Sequence, residues 1–399
     1  MPDPVGVVTV GDVQLVQAGT GWRVSADIIR PQSAPVQLWY ETDAAEVGGA
    51  EHLVEPFAIA GVLLAMKTGS DFVMRQSLEK AFVRNLEEFI DIWATLQPAL
   101  FRPVRCSVEI ASLNRGEAVS DSGRAEDSAI VCFSGGVDAC HSLWMHCSRQ
   151  KGHRSLSVGA GMLVDGFDIG LDEKERFREA EEHCRAILDS IGVRLRTVRT
   201  NWREVVPHWR YTHGAALVSC LWLFKGAFSN GIVGTDDRSY LVPDHGSNPY
   251  TCPLLSGSSF RIVSDGGRYS RVEKVDSIKE WTSALDHLRV CYSGNTGGNC
   301  GRCEKCIRTV LNFRTVGMDS LACFPVNITN DDIAALKITD ELRMNHLRTI
   351  LREAEARGRG DEPWVRALDR RVRRGCNRAP GKIGRGIRRL VRAVLPAAR

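Results

Sequence analysis

Apolar and polar positions change their rhythm twice along this chain. Up to residue 112 they alternate in short runs at 7–9, 13–16, 22–29 and 36–40. Such runs predict strands, because successive side chains of a strand point to opposite faces. Residues 57–66 are apolar throughout and read as a helix. Residues 77–95 carry Leu78, Phe82, Leu86, Phe89 and Ile90 on one helical face. Pro98 and Pro103 close that helix, and 104–110 reads as a returning strand. Residues 1–112 are therefore expected to form a small N-terminal α+β domain. The polar, small residues of 113–127 read as a linker.

From residue 129 the rhythm becomes strand, then helix. Runs at 129–133, 157–164, 194–199 and 231–234 have strand character, and helical patterns fill 138–147, 173–191 and 213–228. This alternation predicts the fold class: α/β, a doubly wound parallel sheet covered on both faces. An irregular loop at 236–259 and a cysteine-rich segment at 291–306 follow, so 128–325 is expected to be one domain. A helical extension at 326–365 and a basic tail at 366–399 complete the organisation.

Composition narrows the picture. Of the 399 residues, 43% are hydrophobic and 25% charged, an ordinary globular balance that can bury a core. No apolar run approaches the roughly 20 residues that span a membrane. The N-terminus has no basic segment followed by an apolar one, so no signal peptide is read there and a cytoplasmic location is expected. The net charge of +4 is uneven: from Arg366 to Arg399 there are 12 Lys and Arg against one acid, Asp369. In that tail Ile383, Ile387, Leu390 and Val394 recur at helical spacing among Arg385, Arg388, Arg389 and Arg392. A basic amphipathic pattern suits RNA, an acidic partner or an anionic surface, and a solvated tail equally.

Two segments carry chemistry. The strand at 129–133 runs directly into Ser134, Gly135, Gly136, Val137 and Asp138, and a helix follows. Two glycines let the backbone approach a phosphate, and the helix N-terminus offers free N–H groups and a positive dipole end. Ser134 adds a hydroxyl, and Asp138 is placed to cap the helix or help hold a cation. The plainer reading is a Gly-Gly turn with an Asp cap. The second segment is Cys291, Cys300, Cys303 and Cys306, with glycines between. Thirteen cysteines in all, most scattered in apolar settings, argue against a disulfide framework. Four clustered thiolates select Zn²⁺ in a closed tetrahedral site, with an iron–sulfur cluster as the alternative metal group.

Ser-Gly-Gly-x-Asp after a strand resembles the PP-loop of the N-type ATP pyrophosphatases, which implies an adenine nucleotide α-hydrolase-like fold. These enzymes split ATP between its α and β phosphates and pass AMP to a carboxylate or carbonyl oxygen. The cysteine intervals are similar to those of one branch, the 7-cyano-7-deazaguanine synthases. Lys274, in Glu-Lys-Val-Asp-Ser-Ile, and Arg308 also look like that branch. The resemblance runs from about residue 127 to 318. It implies ATP held by Ser134, Gly135, Gly136, Val137, Asp138 and Asp165, with Asp138 and Lys274 as catalytic residues. Three departures stand out. Ala139 replaces the serine that usually follows the loop. Asp165-Gly166-Phe167-Asp168 and Gly234-Thr235-Asp236-Asp237 differ from the synthases' pocket loops. The N-terminal domain and the basic tail are additions.

The expected function is thus an adenylating ligase acting on a different acceptor acid, with ammonia or an amine as nucleophile. Asp165, Asp168, Asp236 and Asp237 follow strand ends, where they would hold Mg²⁺ or simply cap turns. His245 is a candidate general acid or base or a plain surface residue, Ser247 and Asn248 are candidate substrate contacts, and Trp202, Trp209 and Trp222 candidate base-stacking or core residues. A homodimer is carried among the expected assemblies. The rival classes are a non-catalytic nucleotide- or RNA-binding protein and a tRNA sulfur-transfer enzyme using Cys140.

Overall fold

The computed structural model describes residues 6–43, 53–111, 125–291 and 297–376. Its first half contains β1 (Val7–Val10), β2 (Gln14–Ala18), β3 (Gly21–Ile29), β4 (Val36–Thr42), α1 (Glu55–Thr68), β5 (Asp71–Leu78), α2 (Lys80–Leu96) and β6 (Cys106–Ile110). The alternating segment follows as β7 (Ser128–Cys132), α3 (Val137–Cys147), β8 (Ser157–Asp165), α4 (Lys174–Asp189), β9 (Arg194–Thr200), the short α5 (Trp202–Val205), α6 (Trp209–Trp222) and β10 (Asn230–Gly234). Then come β11 (Arg261–Asp265), α7 (Arg271–Ile278), α8 (Thr282–His287) and α9 (Glu304–Thr315).

Four elements differ from the sequence pattern. β5 was not predicted, and the helix expected from residue 77 starts at Lys80. Leu78 instead ends β5 and pairs with Ile110 of β6. α6 begins at Trp209 and ends at Trp222, where a helix over 213–228 was expected. β11 was also missed: its five residues mix Arg261, Ser264 and Asp265 with apolar ones, too short for periodicity to register.

All these strands join one eleven-stranded, mostly parallel sheet of an α/β fold. The parallel part has the order β11-β10-β7-β8-β9. The chain enters at its middle on β7, winds outward through β8 to β9, then returns past β7 to β10 and β11. Crossovers of the right-handed kind usual for parallel strands place the helices of the two directions on opposite faces. Ala129, Ile130 and Val131 of β7 and Ile232 and Val233 of β10 are accordingly fully buried.

The N-terminal strands extend the same sheet. β4 pairs antiparallel with β9, matching Tyr40 to Thr200 and Thr42 to Val198. Side chains lock this seam: Thr200 Oγ1 donates to Trp39 O at 2.7 Å, while Asn201 accepts from Trp39 N at 3.0 Å and donates to Gln37 O at 2.9 Å. α1 lies against α6. Its Phe57, Ile59, Val62 and Met66 are fully buried, so it is apolar all round because protein covers it all round. Glu55 of α1 accepts from Lys225 Nζ at 2.8 and 2.9 Å, an ion pair across this contact. One hydrophobic core spans both halves. Residues 112–124, most of the expected linker, lie outside the described residues.

The chain divides into two compact units, Met1–Ile328 and Thr329–Arg399. In the second, α10 (Asn330–Ala334) and α11 (Glu341–Ala356) both pack on α12 (Pro363–Arg373). Arg371 Nε ties α12 to Leu336 O at 2.6 Å. The expected tail from residue 366 therefore begins inside a packed helix. Its amphipathic pattern, Ile383 to Val394, lies outside the described residues. Among the described residues no helix is long and apolar enough to cross a membrane.

Candidate functional site

The loop after β7 opens at the carboxyl end of the sheet, beside the paired strands β7 and β10 where the winding reverses. Clefts of this kind receive ligands in open α/β sheets. Gly135 takes φ 71°, a left-handed conformation that a side chain would strain. Gly136 then caps α3 in extended conformation, and no side chain caps the helix. The first-turn amides of α3 thus lack side-chain partners and face the loop.

A pocket lies over this end. Ser134, Gly136, Val137, Asp138 and Ala139 form one side, and Asp168, Arg271, Arg289, Lys305 and Thr309 complete it. Three basic side chains and two carboxylates line it beside an uncapped helix end, a chemistry that would suit an anion. Arg289 fixes the loop as well as lining it: its backbone N–H donates to Gly135 O at 2.8 Å and its guanidinium to Ser134 O at 3.4 Å. Burial, then the neighbouring Arg271 and Arg308 charges, pulls the Lys305 ammonium below its ordinary value despite Asp168 nearby.

Asp138 is the hub beneath the pocket. Its two oxygens accept from Arg271 Nη2 at 2.6 Å and from Lys274 Nζ at 2.8 Å. Burial alone would raise this carboxyl, but Arg271 and Lys274 outweigh burial and hold it below the usual Asp value. Lys274 is fully buried and also donates to Thr235 O and to Asp236 O, the latter at 3.2 Å. All three ammonium protons are therefore engaged. Lys274 holds Asp138 to the end of β10, and does not reach into the pocket as a catalytic cation would. Arg271 bridges Asp138 to Asp236.

Several expected residues stand elsewhere. Asp165 does not join the loop. It accepts from Arg199 Nε at 3.1 Å and lines a separate cleft with Trp22, Glu41 and Phe177 at the β4–β9 seam. Asp168, three residues on, is the one that lines the loop pocket. Among the aspartates considered as cation ligands, Asp138 is engaged by Arg271 and Lys274, Asp236 by Arg271, and one oxygen of Asp165 by Arg199. His245 packs against His213, ring centres 4.7 Å apart, and Asn248 is spent on turn hydrogen bonds to His245 O, Tyr250 N and Thr251 N. Ser247 bonds His213. Trp202 and Trp222 are fully buried core residues, and Trp209 packs on Phe167. Cys140 is fully buried, and burial pushes its thiol well above the ordinary value, the opposite of a reactive sulfur.

The cysteine cluster closes as its spacing predicts. Cys291 and Cys303 sulfurs are 3.8 Å apart, Cys300 and Cys306 sulfurs 3.9 Å, and all four lie within 4.8 Å of one another. A tetrahedron with metal–sulfur bonds of about 2.3 Å has edges of about 3.8 Å. The set fits one metal ion and is too tight to enclose a multi-iron cluster. Backbone N–H groups of Cys303 and Cys306 donate to Cys300 and Cys303 sulfur at 3.3 and 3.5 Å. Cys303 also caps α9. The Cys306 thiol first, then the backbone N–H of Cys306, holds Cys303 well below the usual thiol value. Gly297 is required by packing, since a Cβ there would sit 2.6 Å from Ala180 N and Arg176 O of α4. Cys291 borders the loop pocket, so the two sites abut.

Sequence reasoning missed the three pocket cations. Arg271 opens α7 behind a Ser270–Glu273 capping box, a legible helix start. Arg289 and Lys305 sit two residues before Cys291 and between Cys303 and Cys306. Cations interleaved with metal ligands were the available signal. No protein-family model, curated protein or solved structure matches this chain.

Proposed function

We propose that this chain is an ATP-dependent, AMP-forming ligase of the PP-loop type, built on a doubly wound sheet like that of the adenine nucleotide α-hydrolases. The observation that carries the reading is the β7 loop: a left-handed Gly135 and an uncapped α3 facing Arg271, Arg289 and Lys305. That arrangement suits a pyrophosphate leaving group. An acceptor carboxylate oxygen attacks the α-phosphorus, and the P–O bond to the β-phosphate breaks. Pyrophosphate departs with the bonding electrons, and its new charge falls among the three cations and the helix end. Ammonia or an amine then attacks the acyl carbon, loses a proton, and AMP leaves. The cysteine set holds Zn²⁺, which contributes folding energy and stiffens the Arg289 segment. The acceptor is a small acid, and a 7-deazaguanine acid follows from the resemblance to the 7-cyano-7-deazaguanine synthases.

The test is release of AMP and pyrophosphate from ATP with candidate acids, 7-carboxy-7-deazaguanine first. Release that depends on the acid supports the ligase. A protein that binds no ATP and releases no AMP with any acid sinks it. One observation favours a second reading. Ala139 lines the pocket without a hydroxyl, a missing charged hydrogen bond worth about 1.5–3 kcal/mol. ATP binding with no turnover would make the chain a nucleotide-binding protein instead. The sulfur-transfer reading loses its thiol with the burial of Cys140.

A further inference from the structure

Asp138 and Asp236 stand where the loop after β7 and the end of β10 face each other. A divalent cation accompanying a nucleotide would find its carboxylate ligands there. A protein atom already holds that position. Arg271 Nη2 donates to Asp138 Oδ2 at 2.6 Å and also to Asp236 Oδ1, so one nitrogen bridges both carboxylates. Lys274 Nζ takes the other Asp138 oxygen at 2.8 Å. Mg²⁺ demands oxygen ligands at about 2.0–2.1 Å in an octahedron and cannot share the place of that nitrogen. To enter, it would have to displace two cations whose residues are 7% and 0% exposed, leaving their charges buried beside its own.

Arg271 also points to a ligand on its own account. It lines the loop pocket, and its Nε is buried with no hydrogen-bond partner. A buried guanidinium with an unused donor, set across from an uncapped helix end, is complementary to a phosphate oxygen. The remaining pocket cations, Arg289 and Lys305, flank the same space.

We propose that Arg271 takes the place of the divalent cation, so this pocket binds the oligophosphate of its nucleotide without Mg²⁺. The inference rests on reading the loop pocket as a phosphate site. Its consequence is specific. The carboxylates serve to hold Arg271, and Arg271 rather than a metal screens the phosphate charge. Removing the guanidinium would uncover a two-carboxylate site able to take a metal.

The experiment is calorimetric titration of the full chain with inorganic pyrophosphate, once in EDTA and once with Mg²⁺ at buffered free concentration. Equal binding within about twofold in both conditions is expected. Arg271→Ala should weaken binding in EDTA by about ten- to a hundredfold, and added Mg²⁺ should recover part of the loss. Arg271→Lys keeps a charge and should bind in EDTA between the two. Mn²⁺ added to the wild-type pyrophosphate complex should give no bound-manganese signal in electron paramagnetic resonance. Pyrophosphate binding by wild type only when Mg²⁺ is present overturns the inference and leaves the ligase reading standing. Absence of binding in both conditions overturns the phosphate reading itself and the inference with it. If Arg271→Ala fails to fold, the wild-type comparison and the manganese signal decide alone.

Discussion

Asp138 shows how one residue ties sequence to chemistry. From sequence it was a helix cap or a cation ligand. In the structure it caps nothing and instead anchors two buried cations. Its carboxyl is held below the ordinary Asp value of about 3.9. A depressed folded-state value means the ionised form stabilises the fold above that pH. The contribution disappears as the pH falls through the lowered value. Asp138→Asn should therefore cost about 1–3 kcal/mol at pH 7, because the amide carries no charge and sets an NH₂ donor against one of the two cationic donors. The check is urea unfolding of both proteins at pH 7 and pH 3. The gap should shrink at pH 3, and an equal gap at both would mean the carboxylate charge does not matter. Asp165 and Asp168 teach the complementary lesson. Three residues apart after the same strand, they serve different clefts, and residue type alone cannot tell which way each faces.

At the scale of elements, the cysteine segment and the loop after β7 form one device. Arg289 clasps the loop through Gly135 O and Ser134 O, and Cys291 follows two residues later. Cys303 starts α9, which brings Lys305 and Thr309 to the pocket. A bound metal thus fixes both strips of chain that line the site opposite the loop. Cys306→Ser should abolish stoichiometric zinc, measured by elemental analysis, and lower the melting temperature. It should also weaken pyrophosphate binding, although Cys306 does not line the pocket. Unchanged binding in zinc-free protein would show that the loop is rigid without the metal. The existence of α3, α4 and the β7 and β8 strands was legible, because their apolar patterns and flanking turns are local in sequence. β5 and β11 were not. Pairing with β6 and with β10 makes them strands, and no local pattern records that partner.

At the scale of the whole molecule, the N-terminal half completes the sheet. β4 covers the edge of β9, and α1 covers α6. Removing residues 1–111 would expose a strand edge and the apolar side of α6 together, an aggregation template. The truncated chain should therefore be insoluble or oligomeric by size-exclusion chromatography. A stable monomer would make the N-terminal half a separate domain resting on a self-sufficient one. In the full chain, residues 6–328 should unfold in one transition, since a single core crosses the seam.

The sequence by itself determined the alternating α/β architecture, the turn at Gly135 and Gly136, and the four-thiol set. Each depends on interactions within a few residues: strand and helix periodicity, a backbone angle open to glycine, and ligand spacing along a short loop. Only the tertiary structure decided what surrounds the loop. Arg271 and Lys274 lie more than 130 residues from Asp138, and Arg289 lies 155 from Ser134. Their convergence comes from the winding order of the sheet, which is a property of strand pairing between distant segments. The charge that defines the pocket is therefore local in space and dispersed in sequence, while the loop it serves is local in both.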